Sequence, residues 1–228
     1  METVIFNNFY RDKLFSISLF DNLPDQVKNE IVKTLDIRLY EINEKTVVLK
    51  QGNLCCNLYV LLEGKLEVNI IDANGNEVLI EYIEAPRAFA TSHLFKKDNR
   101  LPATFRTLEK SVLLTATKDS TFDLISKYPD VLRNFLCIAG NCDVCTTMRL
   151  DVLSRKTIRE RILVYLFKRL DRKTYTVRMT CTLTQLADYI NVTRPALSTE
   201  FNKMEKEGLI IRKSDCIELN MNALKGII

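Results

Sequence analysis

The sequence predicts an α+β chain in three parts: an N-terminal antiparallel β-roll of jelly-roll type with flanking helices, one long helix, and a small C-terminal helical unit. Short alternating or β-branched runs between turn residues fill positions 38–117. A helical pattern without proline follows over 130–154, and apolar residues again recur at helical spacing beyond 155. We therefore divide the chain into residues 1–128, 129–156 and 157–228.

The N-terminal part is predicted to open with short helices and to continue as strands. Val27, Ile31 and Leu35 recur at helical spacing after Pro24, which suits a first helical turn. The strand-like runs lie at 39–42, 46–49, 58–62, 66–71, 78–83, 104–108 and 112–116. Turns that contain glycine separate several of these runs, so we expect an antiparallel roll or barrel of about eight strands.

Charge is unevenly distributed along the chain. Residues 155–228 contain 15 Lys and Arg against 8 Asp and Glu, whereas residues 1–154 contain 18 against 21. A basic C-terminal part is what neutralisation of nucleic-acid phosphates requires, although a solvated charged face is the alternative interpretation.

Composition also bears on the cellular compartment. The seven cysteines are an odd number without the dense spacing of a secreted disulfide scaffold, so we expect reduced thiols. No apolar run reaches about 18 residues, and the first residues carry no signal-peptide pattern. These features predict a cytoplasmic protein with no membrane partner.

The long helix carries two interleaved stripes with 4,3 spacing. One stripe is Leu132, Leu136, Ala139, Asp143, Thr146, Leu150 and Leu153; the other is Val131, Phe135, Ile138, Cys142, Cys145, Arg149 and Val152. Two stripes provide apolar surface for two partners. One partner is expected to be the roll of the same chain, and the other the same helix of a second subunit. A helix buried on two sides within a monomer is the alternative.

The stretch after position 181 has the order of signals that a helix-turn-helix requires. Thr182 and Gln185 form a capping box that opens a first helix, and Asn191 stands where the chain must turn sharply. Thr193 caps a second helix, which ends at Gly208. The pattern over 209–219 predicts a β-hairpin, which would form the wing beside the two helices.

In such a motif the N-terminal end of the second helix lies in the major groove of DNA, and basic residues around it contact phosphates. The predicted DNA-binding residues are Thr184, Thr193, Arg194, Pro195, Ser198, Thr199, Asn202 and Lys203.

These motifs resemble the Crp/Fnr family of bacterial transcription regulators over nearly the whole chain. Residues 59–68 resemble the family's strand–glycine–strand turn, 127–130 the start of its dimer helix, and 182–210 its helix-turn-helix. The resemblance implies a homodimer in which an effector in the roll shifts the dimer helices and reorients the DNA-binding domains. It favours as the subunit seam Leu132, Leu136, Ala139, Asp143, Leu150 and Leu153.

The effector region departs from the family members that bind cyclic nucleotides. Those carry Gly-Glu, in which the Glu holds the ribose, and further along Arg-Ser, in which the Arg holds the phosphate. The aligned positions here are Ala90-Thr91 and Leu101-Pro102, so neither the carboxylate nor the glycine is present; Arg100 lies one place away. Cyclic AMP is therefore disfavoured as the effector.

Thr146 and Thr147 match the family's adenine-contacting positions. With them the candidate pocket for an unknown small-molecule effector comprises Ala90, Thr91, His93, Arg100, Leu101, Thr146 and Thr147.

No cofactor or metal is predicted. Members that sense through iron–sulfur clusters carry cysteines near the N-terminus, and here the first is Cys55. Cys142 and Cys145 have metal-ligand spacing but no companion pair, so two small residues in a buried stripe is the preferred interpretation. His93, the only histidine, is a weak candidate for haem ligation. Whether these three residues have a sensing role is left open.

The alternatives to a transcription regulator are an enzyme and a sensing scaffold. An enzyme is disfavoured, because the chain has one histidine and neither a glycine-rich phosphate loop nor a nucleophile motif. The alternative is a ligand- or haem-sensing scaffold that acts through protein contacts, against which the basic C-terminal part argues. RNA polymerase is a candidate partner beside double-stranded DNA.

Overall fold

The computed structural model describes residues 2–72, 75–179 and 181–224, and within the long helix it describes only the backbone of 142–146. The chain divides into two units, residues 1–145 and 146–228. This boundary falls inside the long helix, and the three-part division given above, with its first boundary at 128, stays a prediction.

The first unit combines short helices with an antiparallel roll. Its helices are α1 (Asn8–Phe15), α2 (Asp25–Thr34), α3 (Thr91–Leu94), α4 (Lys118–Lys127) and the start of α5 (Pro129–Leu153). Its strands are β1 (Glu2–Val4), β2 (Ile37–Ile42), β3 (Val47–Leu49), β4 (Asn57–Glu63), β5 (Lys65–Ile71), β6 (Glu77–Glu84), β7 (Arg87–Phe89), β8 (Thr104–Thr107) and β9 (Ser111–Thr117).

The strands form two antiparallel sheets, in the orders β1-β2-β9-β4-β7 and β3-β8-β5-β6. The predicted antiparallel roll is thereby confirmed. Apolar side chains of both sheets, such as Val60, Leu114 and Leu66, belong to one buried cluster. The rings of Phe89 in β7 and Phe105 in β8 join the two sheets with their centres 5.2 Å apart. Burial of aromatic pairs of this kind is a main source of stability for a roll.

Some elements differ from the sequence prediction. The short strands β1 and β7 were not predicted, because three residues are too few to establish an alternating pattern. The sequence pattern predicts a short helix over 122–126. In the structure this helix extends over Lys118–Lys127, because the Thr117 side chain accepts a hydrogen bond from the Ser120 amide and caps it earlier.

The second unit contains the end of α5, further helices and a three-stranded sheet. These elements are α6 (Ile158–Phe167), β10 (Thr176–Arg178), α7 (Leu183–Tyr189), α8 (Arg194–Lys206), β11 (Ile210–Arg212), β12 (Cys216–Leu219) and α9 (Met221–Leu224). The strands pair in the order β10-β12-β11. The predicted hairpin is thus confirmed as β11 and β12, while the third strand, β10, was not predicted. None of the described helices combines the length and apolarity that crossing a bilayer requires.

The turn between β4 and β5 depends on Gly64. Its φ of +90° is a conformation that side chains rarely adopt, and a Cβ there would overlap Ser111 and lie 2.9 Å from the carbonyl oxygen of Lys110. Gly52 has a similar φ of +85°, but a Cβ there would meet nothing within 4 Å.

Gly64→Ala should therefore destabilise the roll more than Gly52→Ala. Both variants incur the left-handed penalty of about 1–2 kcal/mol, and only Gly64→Ala adds overpacking of about 1–3 kcal/mol. Urea denaturation followed by circular dichroism measures both free energies of unfolding. Equal losses in the two variants would contradict this role for the Gly64 turn.

Candidate nucleic-acid interface

The first helix of the predicted helix-turn-helix begins at a complete capping box. The Thr182 side chain accepts from the Gln185 amide at 3.2 Å, and the Gln185 side chain accepts from the Thr182 amide at 3.0 Å. Two amides that would otherwise lack partners at the start of α7 are satisfied in this way. The sequence prediction of this cap is confirmed.

The turn between α7 and α8 uses a left-handed residue. Asn191 has a φ of 54°, a conformation that asparagine accepts more readily than most residues. The Val192 amide donates to the carbonyl of Ala187 at 2.9 Å, and Ala187 is buried. A small residue at 187 and an asparagine at 191 thus allow the chain to reverse direction within a few residues.

Two arginines donate to the carbonyl groups at the end of α7. Arg149 of α5 donates to Asp188 at 3.3 Å, and Arg161 of α6 donates to Ile190 and Asn191 at 3.2 and 3.3 Å. Cations are stabilising at a helix C-terminus, where carbonyl groups lack helical partners. Arg149 is only 3% exposed, and its guanidinium carbon lies 4.9 Å from the centre of the Tyr189 ring. Arg149 belongs to one of the two predicted stripes of α5, but the periodicity did not predict this contact.

The second helix, α8, has one buried and one exposed face. Thr193 accepts from the Ala196 amide at 3.4 Å as its cap, Pro195 lies in its first turn, and Gly208 follows it with a φ of 70°. Its fully buried residues are Leu197, Phe201 and Met204. These observations confirm the predicted start and end of the helix.

The predicted DNA-binding residues all lie on α7 and α8 or at the cap between them. Thr184, Thr193, Arg194, Pro195, Thr199, Asn202 and Lys203 are exposed, and Ser198 is half-buried. The nearest carboxylate oxygen to Lys203 belongs to Glu200 and lies 3.9 Å from Nζ. Among the described residues, no acidic side chain forms an ion pair with Arg194. The exposed face of α8 thus presents an unneutralised guanidinium at its N-terminal end.

An ion-pair network joins α8 to α6. Arg159 donates from Nε to Glu200 at 2.6 Å and from its two terminal nitrogens to Glu207 at 2.7 and 2.9 Å. Bidentate pairs of this kind fix orientation as well as adding energy. The hydrogen bonds from Arg159 lower the pKa of Glu207, so that carboxylate stays charged at neutral pH. The network was not predicted, since its members are separated by 41 and 48 residues.

The candidate effector residues of the roll converge around Cys55. The Cys55 thiol contacts the carbonyl oxygen of Ala90 at 3.7 Å, and the Cys55 amide donates to Asn99, the residue before Arg100. Ala90 and Asn99 therefore both contact Cys55, one through its thiol and the other through its amide. Burial raises the pKa of the Cys55 thiol to about 11, so it is protonated at neutral pH.

The individual effector candidates differ in exposure. Thr91 and Leu101 are 2% exposed, His93 is half-buried, and Arg100 is exposed and donates to the carbonyl oxygen of Gly52 at 3.0 Å. Thr147 is exposed, and the side chain of Thr146 lies outside the described part.

Ala90 adopts a backbone conformation that differs from expectation. The sequence has alanine here in place of the glycine of the cyclic-nucleotide-binding members, yet Ala90 has a left-handed φ of 55° and is the N-cap residue of α3. Such a conformation costs an alanine about 1–2 kcal/mol. The turn is therefore retained without the residue that usually supplies it.

The two stripes of α5 differ in burial wherever their side chains are described. In the first unit Val131 and Phe135 are buried, whereas Leu132 and Leu136 are 37% and 61% exposed. In the second unit Val152 is buried, whereas Leu150 is 63% exposed. Ala139 and Leu153 are half-buried. The prediction that one stripe packs within its own chain agrees with this division.

Three residues of α5 for which the sequence suggested a role have no described side chain. The side chains of Cys142, Asp143 and Cys145 lie outside the described residues. Within the described part, no cluster of three or more His, Cys, Asp or Glu side chains is suited to a metal ion.

Comparison with known families matches both units. A cyclic nucleotide-binding domain model matches residues 40–128, and a Crp-like helix-turn-helix domain model matches residues 160–227. The chain belongs to the Crp/Fnr family. It is therefore a DNA-binding transcription regulator of the Crp/Fnr type, and the family consists of regulators rather than enzymes.

Solved structures of Crp/Fnr regulators share the fold at low sequence identity. A CooA mutant from Carboxydothermus hydrogenoformans is 15% identical with a TM-score of 0.69, and the match covers 93% of this chain and 99% of that one. The regulator CLP from Xanthomonas campestris is 15% identical with a TM-score of 0.60, covering 86% and 99%. The Thermus thermophilus catabolite activator protein is 21% identical with a TM-score of 0.52, covering 91% and 95%. No curated protein sequence matches the chain.

The left-handed turn of this Crp-like helix-turn-helix gives a testable prediction. Asn191→Val should lower the free energy of unfolding by about 1–2 kcal/mol, because a β-branched side chain disfavours a positive φ. Asn191→Gly, the matched control, should be nearly neutral because glycine accepts this conformation. Chemical denaturation of both variants makes the comparison. A loss as large in the glycine variant would show that the Asn191 side chain, rather than its φ, stabilises the turn.

Proposed function

We propose that the chain binds double-stranded DNA as a homodimer, with the N-terminal end of α8 in the major groove, under control of a small-molecule effector other than cyclic AMP. The observation that carries this proposal is the exposed polar face of α8 around Arg194, on a helix whose other face is fully buried. A face of this kind is available to base edges without any loss of core packing.

Arg194 is the residue we assign to base recognition. Its guanidinium can donate two hydrogen bonds to O6 and N7 of one guanine. Many relatives carry Glu and a second Arg at the positions that are here Pro195 and Thr199. We therefore expect a half-site that differs from the usual Crp half-site. Thr184, Thr193, Ser198 and Lys203 are assigned to phosphates or to the groove edge.

Homodimerisation is assigned to the exposed stripe of α5. Leu132, Leu136 and Leu150 follow the heptad spacing of a coiled-coil seam, and each is exposed in the single chain. Large apolar side chains in such a pattern indicate an interface rather than a solvated face. Ala139 and Leu153 share the stripe, as does Asp143 in the sequence.

The effector is assigned to the roll near Cys55, and its identity is open. Thr91 and Leu101 occupy the positions of the family's ribose-binding Glu and phosphate-binding Arg, and both are buried. CLP is described as responsive to c-di-GMP, so effectors other than cyclic AMP occur among proteins of this fold. Native mass spectrometry of protein purified from its own host identifies any molecule that stays bound, including haem at His93. RNA polymerase is the further partner that a transcription regulator of this kind would contact.

Leu150→Glu should dissociate the dimer. In a twofold seam it would bring like charges together in a desolvated interface, whereas in the monomer the exposed position tolerates the change. Ile5→Glu introduces the same charge at another exposed apolar residue and should leave the dimer intact. Light scattering measures both masses. A dimeric Leu150→Glu variant would locate the seam elsewhere.

Cyclic AMP should not bind at micromolar concentration. Two charge-assisted contacts are absent, each worth about 1.5–3 kcal/mol, which together weaken affinity by about 10²–10⁴-fold. Isothermal titration calorimetry tests this expectation directly. Micromolar affinity would overturn the exclusion of cyclic AMP.

Arg194→Ala and Lys203→Ala should affect DNA binding in different ways. Loss of Arg194 should cost about 1–3 kcal/mol at one base pair and relax discrimination there, since a base contact specifies sequence. Loss of Lys203 should weaken all sequences alike and reduce the dependence of affinity on salt, as expected for a phosphate contact. Selection from random duplexes and salt titrations measure the two effects. An unchanged base preference in Arg194→Ala would reject the placement of α8 in the groove.

A further inference from the structure

The end of the wing strand β11 reaches back to the exposed face of α8 through Arg212. One terminal nitrogen of Arg212 donates to Oδ1 of Asn202 at 2.6 Å and also to the carboxylate of Glu205. The Arg212 amide donates to the other Glu205 oxygen at 3.0 Å. The guanidinium carbon lies 5.6 Å from the centre of the Phe201 ring. Arg212 is thus held by the helix at three points.

This contact determines which way the Asn202 amide faces. A guanidinium has only donors, so the oxygen of Asn202 must point toward Arg212 and its NH2 group must point away. Glu205 keeps Arg212 in place because it accepts from both its backbone and its side chain. The pKa of Glu205 is lowered by Arg212, so the carboxylate remains charged at neutral pH.

An asparagine held in this way is less suited to one of its recognition modes. Bidentate reading of adenine requires the amide oxygen to accept from N6 while the amide nitrogen donates to N7. In Asn202 one of the two acceptor positions of the oxygen is taken by Arg212, whereas no hydrogen bond engages its NH2 group among the described residues.

We propose that Arg212 is a specificity-determining residue, which orients the Asn202 amide and competes for its oxygen, and so favours donation by Asn202 over bidentate recognition of adenine at its position. Its target is an acceptor without donors, either the N7 and O6 edge of guanine or a phosphate oxygen. This inference rests on the proposed location of α8 in the major groove.

Selection from random duplexes with the full-length protein tests which acceptor Asn202 meets. A guanine preference at one base pair that Asn202→Ala abolishes assigns the guanine edge. Uniformly weaker binding in Asn202→Ala, with no change of base preference, assigns the phosphate. An adenine preference in the wild type that depends on Asn202 overturns the proposal.

A double-mutant cycle tests the role of Arg212. Arg212→Met keeps a long unbranched side chain and removes the donors, and Arg212→Leu is the second variant should the first fold poorly. We measure the fold-change in DNA affinity that each substitution causes, once in the wild type and once in Asn202→Ala. These two fold-changes should differ by at least about threefold, because Arg212 and Asn202 are in contact. Equal factors in both backgrounds overturn the proposal.

The controls separate this proposal from the one on which it rests. Lys213→Met removes the next cation of the wing, whose ion pair is with Glu218 at 2.7 Å, and should show no coupling to Asn202. Coupling of the same size in Lys213→Met would make the effect electrostatic and overturn the assignment to Arg212. Arg194→Ala is included in the same selection. If Arg194→Ala loses discrimination at one base pair while the double-mutant cycle of Arg212 and Asn202 shows no coupling, only the Arg212 proposal fails.

Discussion

The orientation of α8 depends on the hydrogen bonds that the carbonyl end of α7 accepts. A left-handed residue at 191 directs the chain from one helix into the next, and Arg149 and Arg161 donate to the carbonyl groups just before that turn. Carbonyl groups at a helix end lack helical partners, and the two arginines supply donors to them. The bidentate Arg159 network then fixes α8 against α6.

Holding the helices in this way leaves two exposed surfaces that we propose as interfaces. On α8 Leu197, Phe201 and Met204 are fully buried, whereas Arg194, Thr199 and Lys203 are exposed. On α5 the stripe of Val131 and Phe135 is used within the chain, while Leu136 and Leu150 are left to solvent. Polar side chains suit the edges of base pairs, whereas exposed leucines at heptad spacing suit a second copy of the same helix.

Local signals in the sequence predicted most of the second unit, because caps and turns depend on residues a few positions apart. Thr182 with Gln185, Asn191 and Gly208 are confirmed for that reason. The contacts of Arg149, Arg159 and Arg161 were not predicted, since partners 29 to 48 residues away in sequence leave no periodic signal. The left-handed Ala90 was missed because its surroundings, rather than its own preference, impose that conformation. The DNA-binding and effector-binding roles of the candidate residues remain predictions, since the structure of the chain alone contains no contact with DNA or an effector.

Amide hydrogen exchange of the full chain, with and without a duplex that it binds, tests the central claim most directly. Among the first amides of α8, that of Arg194 has no helical acceptor, and Pro195 has no N–H group. The Ala196 amide donates to the Thr193 side chain outside the helix, so we expect rapid exchange at this end in the free protein. If the arginine-held turn presents this helix end to the groove, the duplex should slow exchange over residues 194–199, and high salt should reverse the effect. A bound duplex that leaves exchange in α8 unchanged would contradict the claim that this helix is the one that enters the groove.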